Sequence, residues 1–194
     1  MSTTIKKFLL PTLVGSLVLF GAWQLGQAGW IHAKASLAYH LIEKAWDRVK
    51  SGNSHARPWP WADTWPVARL VAPKHGIDQF VLAGANGRTI AFGPGHMGGT
   101  ALPGARGTSV VVGHRDTHFR FLGRVGLGER FYVTDRDGRR HTYRVADTKI
   151  VDSRTTKLQL GDAPGLVLMT CYPFDSVVPG GPLRYLVFAE EVAQ

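Results

Sequence analysis

The sequence predicts a mainly β domain, a barrel or a sandwich, behind a helical N-terminal segment. Three observations predict it. Eight short β-rich runs separated by glycine and proline follow Pro66, an Asp137-Gly138 pair sits between two alternating runs, and a stretch without Lys, Arg, Asp or Glu extends from Phe8 to Ala33. Short strands at close spacing with turn residues between them are the pattern of all-β barrels and sandwiches.

The N-terminal segment begins with Lys6 and Lys7, followed by FLLPTLVGSLVLFGAWQLGQAGW. About twenty mostly apolar residues cross a hydrocarbon core as a helix, and Trp23 and Trp30 suit an interface. Residues 1–30 therefore read as a transmembrane anchor, retained because the stretch outruns the core of a signal peptide. Two lysines before it set the N-terminus inside and the rest of the chain on the extracytoplasmic, periplasmic side of the inner membrane. Residues 31–66 come next. IHAKASLAYHLIEKAWDRVK spaces Leu37, Leu41, Ala45 and Val49 one turn apart, which predicts an amphipathic helix. SGNSHARPWPWADTWP then breaks the period with three prolines and three tryptophans, a linker that staples onto the domain or faces the membrane.

The domain itself occupies 67–194. Its candidate strands are VARLV, QFVL, RTIAF, TSVVVGH, RFYVTD, RRHTYRVADT, LVLMT and RYLVFAE. Asp137-Gly138 predicts a tight hairpin over Arg130–Val145. SVVV and LVLM are apolar without alternation, so both are expected to be central strands covered on two faces.

Composition narrows the function. The net charge is +9, but Lys and Arg are scattered from Lys34 to Arg184 without a dense run or a recognition motif, which argues against nucleic acid as partner. A single cysteine forbids an internal disulfide. That cysteine, Cys171, directly follows an apolar run, where packing is the ordinary role and a thiol nucleophile with a basic partner the alternative. His114 ends another run and Arg184 opens the last one, so three reactive side chains lie at strand ends, rigid platforms for preorganised chemistry.

At these residues the chain resembles the sortases, cysteine transpeptidases. GTSVVVGHRDTHFRFLGRVGLGERFYV resembles the stretch in which the family's catalytic histidine ends a strand and a short helix leads to a Gly-Glu before the next strand. LVLMTCYPF resembles the Thr-Leu-x-Thr-Cys signature, with Val167 standing where the first threonine is usual. GGPLRYLVFAE resembles the closing strand that presents the arginine, and TCYPFDSVVPGGPLRY is most similar to the sortases of Gram-negative bacteria.

The resemblance implies a closed eight-stranded β-barrel with short helices and a definite chemistry. Cys171 would attack as a thiolate, which a free thiol of pKa about 8.5 needs help to form. His114 would supply that help as imidazolium and then protonate the departing amine, while Arg184 stabilises the oxyanion. The substrate would be a secreted protein with a C-terminal sorting motif, held as a thioester and passed to an amine or to water. The loops 153–165 and 172–182 would line the peptide groove, with Leu158, Leu160, Thr170 and Tyr172 as substrate contacts. Neither cofactor nor metal is implied.

Rival readings remain for comparison. His114, His118 and Cys171 have ligand types that zinc accepts, although Arg115 stands where the zincin pattern requires glutamate. A peptidoglycan-directed cysteine transpeptidase of the L,D type would need a Ser-x-Gly-Cys environment, which is missing. A non-catalytic binding module would use the tryptophan-rich linker.

Overall fold

The computed structural model describes the backbone of residues 3–178 and 180–192 and, within them, every side chain except those of 3–10 and 12. Helix α1 (Thr3–Lys50) leads into eight strands: β1 (Pro66–Ala72), β2 (Ile77–Ala83), β3 (Gly95–His96), β4 (Thr108–Val112), β5 (Arg130–Asp135), β6 (Arg140–Asp152), β7 (Gly165–Cys171) and β8 (Leu183–Val192). Hydrogen-bonded in the order β1-β2-β3-β4-β7-β8-β6-β5 and closed between β5 and β1, they form a barrel, as the resemblance implied. Most neighbours are antiparallel, but β2 and β3, and β4 and β7, run parallel.

Alternation along each strand sorts side chains into two sets. Leu70, Val81, Val111, Phe131, Tyr143, Leu166, Leu168 and Val187 are buried inside the barrel. Phe119, Phe121 and Leu122, from the segment between β4 and β5, join them, and Phe121 stands edge-on to both Phe119 and Phe131. The other set packs outside: Val110 of β4, Val167 of β7 and Leu186 of β8 are buried in a second cluster with Val112, Val151, Met169 and Phe188 at its margin. β4 and β7 are therefore apolar on both faces, as their uninterrupted runs predicted.

The Asp137-Gly138 hairpin joins β5 to β6, with Gly138 at φ 81°, where a side chain would be strained. One expected strand is a helix instead. Around RTIAF, Gly87–Ile90 form α2, because Asn86 Oδ1 accepts from the N–H groups of Arg88 (3.1 Å) and Thr89 (3.0 Å) and caps a helical turn. The two-residue β3 takes its place in the barrel.

The chain divides into two compact units, Met1–His40 and Leu41–Gln194. In the second, Ile42, Trp46 and Val49 from the end of α1 are buried with Ala56, Phe80 and Leu82, and Trp59 packs beside them. Trp65 packs on the barrel core, whereas Trp61 is 83% exposed. Two of the linker tryptophans thus staple it to the domain.

The expected single-pass membrane anchor is overturned. Among the described residues no helix is long and apolar enough to cross a membrane. Ser16, Gln24 and Gln27, together with Gly15, Gly21, Gly26 and Gly29, dilute the Leu, Val and Phe content that the hydrocarbon requires. The inner-membrane, outward-facing placement falls with it. Lys6 and Lys7, which carried the orientation, lie outside the described side chains.

A half-buried carboxylate ties the β1–β2 turn to the approach to β5. Glu129 accepts from Lys74 Nζ (2.6 Å) and from the Gly126 N–H (3.0 Å), and its Oε2 lies 2.7 Å from His75 Nε2. Burial alone would raise its pKa, but the lysine, the imidazole and the amide outweigh that and hold it at about 2. A carboxyl depressed in the fold stabilises above its unfolded pKa, and that contribution is lost as pH falls from about 4.5 through about 2. Glu129→Gln is expected to cost about 1–3 kcal/mol at pH 7. Urea melts from pH 7 to pH 2 should show wild type and variant converging at the acid end; parallel curves would refute the assignment.

Candidate active site

The barrel's topology brings the sequence-predicted residues to one end. β4 and β7 pair in parallel from Thr108↔Gly165 to Val112↔Met169. Beyond the last pair the strands stay fastened: the Gly113 N–H donates to the Met169 carbonyl (3.1 Å) and Thr170 Oγ1 donates to the Gly113 carbonyl (2.8 Å). One residue further along each strand stand His114 and Cys171. Gly113 permits this geometry, because a Cβ there would lie 2.8 Å from the ring of Phe119, which is buried beneath it. The imidazole is exposed and the thiol half-buried.

Arg184 arrives from the other side. β7 and β8 are antiparallel, and Cys171 and Arg184 are cross-strand partners, while Val151 of β6 faces Arg184 in turn. Directly opposed residues share a sheet face. Cys171 and Arg184 therefore lie on the outer face, in line with Val167, Met169 and Leu186. Arg184 Nη1 donates to the carbonyls of Gly181 (2.7 Å) and Leu183 (2.9 Å), which hold the side chain at the strand end. Pro179, within the reversal before β8, lies outside the described residues.

A histidine follows a parallel strand, a cysteine ends its neighbour and an arginine stands opposite that cysteine, and residues 70–192 match the family model of the sortase domain. The chain belongs to the sortase family. It is 33% identical over 125 residues to Sortase D of Bacillus subtilis (strain 168). That match covers 63% of this chain and 62% of the relative, so the chain spans less than two thirds of the curated relative's length. Among solved structures it is similar to Sortase A from Corynebacterium diphtheriae, with TM-score 0.60 and 28% identity over 69% of this chain and 64% of that one. Sortase C-1 from Actinomyces oris gives TM-score 0.60 and 28% identity, covering 79% and 98%. A Sortase D5 transpeptidase from Clostridium perfringens gives TM-score 0.66 and 19% identity, covering 81% and 99%, a likeness of fold.

The four residues expected to contact substrate separate in this sortase. Leu158, from the β6–β7 loop, packs on the outer apolar cluster of Val110, Val167 and Leu186 and so lies on the face that carries Cys171. Leu160 is 40% exposed on the same loop. Tyr172 is half-buried, stacked on Tyr185 at 6.2 Å and edge-on to Phe174. Thr170 is 1% exposed and spends its hydroxyl on Gly113. It faces inward, as alternation requires of the neighbour of an outward Cys171, and acts as a fastener between β4 and β7 rather than as a groove residue.

His118 and Asp116, close to His114 in sequence, have other duties. His118 is half-buried; burial, with the nearby His114, pushes its pKa down against a bond to the Ala91 backbone. Among the described residues no group of three or more His, Cys, Asp and Glu side chains could hold a metal ion, so the zinc reading gains no support. Asp116, two residues after His114, pairs with Arg115 instead. The N–H of Tyr172, adjacent to the thiol, already donates to the Leu183 carbonyl at 3.1 Å.

Proposed function

We propose that the chain is a cysteine transpeptidase in which Cys171 is the nucleophile, His114 the proton carrier and Arg184 the oxyanion donor. One observation carries the reading: the β4–β7 and β7–β8 registers converge on Cys171, bringing an imidazole from one side and a guanidinium from the other. Sγ of the thiolate attacks the scissile carbonyl carbon, and the oxygen that gains charge is held by Arg184. The C–N bond then breaks, the nitrogen takes the proton of the His114 imidazolium, and the acyl group remains as a thioester on Sγ. An incoming amine gives its proton to His114, attacks the thioester and releases the thiolate; water in the same role gives hydrolysis.

The substrate is a secreted protein ending in a sorting motif. Its peptide lies along the outer apolar face, over Val112, Met169 and Leu158, which leads to the thiol. Extended peptides suit such a shelf because alternate side chains contact it. The ending TCYPFDSVVPGGPLRY supports the Gram-negative type, a finer placement than the similar proteins carry. Residues 67–194 are the catalytic domain in this reading.

A peptidyl vinyl sulfone tests the proposal. The full chain is expected to be labelled once, on Cys171, and His114→Ala to slow labelling by about 100-fold, in the range of general acid–base contributions. Intact-mass and peptide mapping would read it. Labelling no faster than that of a free thiol in peptide would return Cys171 to a packing role.

A further inference from the structure

Arg115 follows His114 directly and is 4% exposed, among the few buried charged side chains of the barrel. Its donors are engaged on two segments distant in sequence. Nε and Nη2 donate to the Asp116 carboxylate at 2.8 and 3.1 Å. Nη1 donates to the Pro173 carbonyl at 2.6 Å and Nη2 to the Ser176 carbonyl at 2.9 Å. Pro173 and Ser176 lie in the loop that begins after Cys171. Burying a guanidinium is costly unless its hydrogen bonds are satisfied, and only a planar fork reaches a carboxylate and two carbonyls at once.

The ends of that loop are held separately, by the Tyr172 N–H on the Leu183 carbonyl, Arg184 on the Gly181 carbonyl and Ser153 on the Pro182 carbonyl. Phe174 packs over Gly123, where a Cβ would stand 3.2 Å from its ring, and edge-on to Tyr185 at 5.2 Å. Beyond it, Val177 and Val178 are 95% and 74% exposed. Arg115 thus adds to the Thr170–Gly113 bond between the strand ends a second side-chain link across the site, one that runs from the His114 turn to the loop after Cys171.

We propose that Arg115 is a positioning residue, a clamp that locks the His114 turn to the loop following Cys171 and thereby sets the imidazole against the thiol. It acts through His114 and Cys171 and touches neither substrate nor leaving group. Asp116 completes the clamp by balancing the buried charge; its carboxyl is held below the usual range chiefly by the bond to Arg115. Without the fork, the two segments keep their strands but lose their mutual alignment, and a misplacement of about 1 Å between reacting groups costs up to about 100-fold in rate.

The inference rests on the thiol reading, and one set of measurements separates the two. With the full chain and a peptidyl vinyl sulfone, Arg115→Lys, which keeps the charge and loses the fork, is expected to lower the limiting inactivation rate by about tenfold and Arg115→Met by more, with the half-saturation concentration within about threefold of wild type. The pH profile of Cys171 alkylation by iodoacetamide is expected to move in both variants, which a merely structural residue would not produce. If Arg115→Met does not fold, Arg115→Lys decides alone. A limiting rate within about twofold of wild type with an unmoved profile in Arg115→Lys would overturn the clamp. Failure of the thiol reading looks different, as absence of selective labelling in the wild-type chain.

Discussion

Cys171→Ala is expected to fold normally and to lose turnover of a peptide that the wild-type chain cleaves by more than about 10⁴-fold, the scale on which nucleophile knockouts in acyl-transfer enzymes fall. The fold is expected to survive because the side chain is half-buried at the last position of β7, and its backbone is fixed by pairing to β8 rather than by the sulfur. Deleting Sγ leaves no large cavity, so stability should change by less than about 1 kcal/mol. Turnover is expected to vanish because the adjacent hydroxyl cannot substitute: Thr170 is buried and turned to Gly113. Cys171→Ser should be almost as inactive, since a hydroxyl is far harder to ionise than a thiol. Mass spectrometry of the reaction adds a sharper readout, as the thioester adduct of the wild-type chain is absent from both variants. Residual cleavage within about tenfold of wild type by Cys171→Ala would remove the sulfur from the mechanism.

What the sequence disclosed and what it hid follow from the range of the interactions involved. The uninterrupted runs SVVV and LVLM announce strands covered on both faces, and they are the parallel pair at the site. Asp137-Gly138 announces its hairpin through the backbone conformation that only glycine takes easily. RTIAF reads as a strand because β-branched and aromatic residues suggest one, whereas the deciding force is a cap from Asn86, which stands before the run. Two residues such as Gly95–His96 carry no period at all, and only pairing with β2 and β4 makes them a strand. The inward turn of Thr170 is legible from alternation alone, which sets it on the face opposite Cys171, although its place beside that cysteine suggests a substrate contact. Arg115 is the opposite case, since its partners lie 58 and 61 residues away on a loop whose path depends on the closed barrel.

Arg184 gives the second large effect, and its variants separate charge from shape. Arg184→Ala is expected to reduce the acylation rate by about 10²–10³-fold, the usual consequence of removing one oxyanion donor. The Michaelis constant should move far less, because the interaction strengthens only as the carbonyl oxygen becomes anionic. Its present partners explain why the loss is not structural: Nη1 holds the Gly181 and Leu183 carbonyls at the start of β8, local backbone that neighbouring ladder bonds with β6 and β7 also fix. Arg184→Lys keeps a cation on the same face, but an ammonium on a flexible stem cannot bind those carbonyls and present a second donor in fixed geometry. It should recover only part of the rate, about tenfold over alanine. The Asp152 carboxylate acts on Arg184 through space, yet its own hydrogen bonds go to Arg154 at 2.6 and 3.0 Å, so the guanidinium is not consumed by an ion pair. Single-turnover acylation kinetics across wild type, lysine and alanine would show the three ranked in that order at near-constant half-saturation. Equal rates for alanine and wild type, with Cys171 still labelled, would move the oxyanion donor to another group.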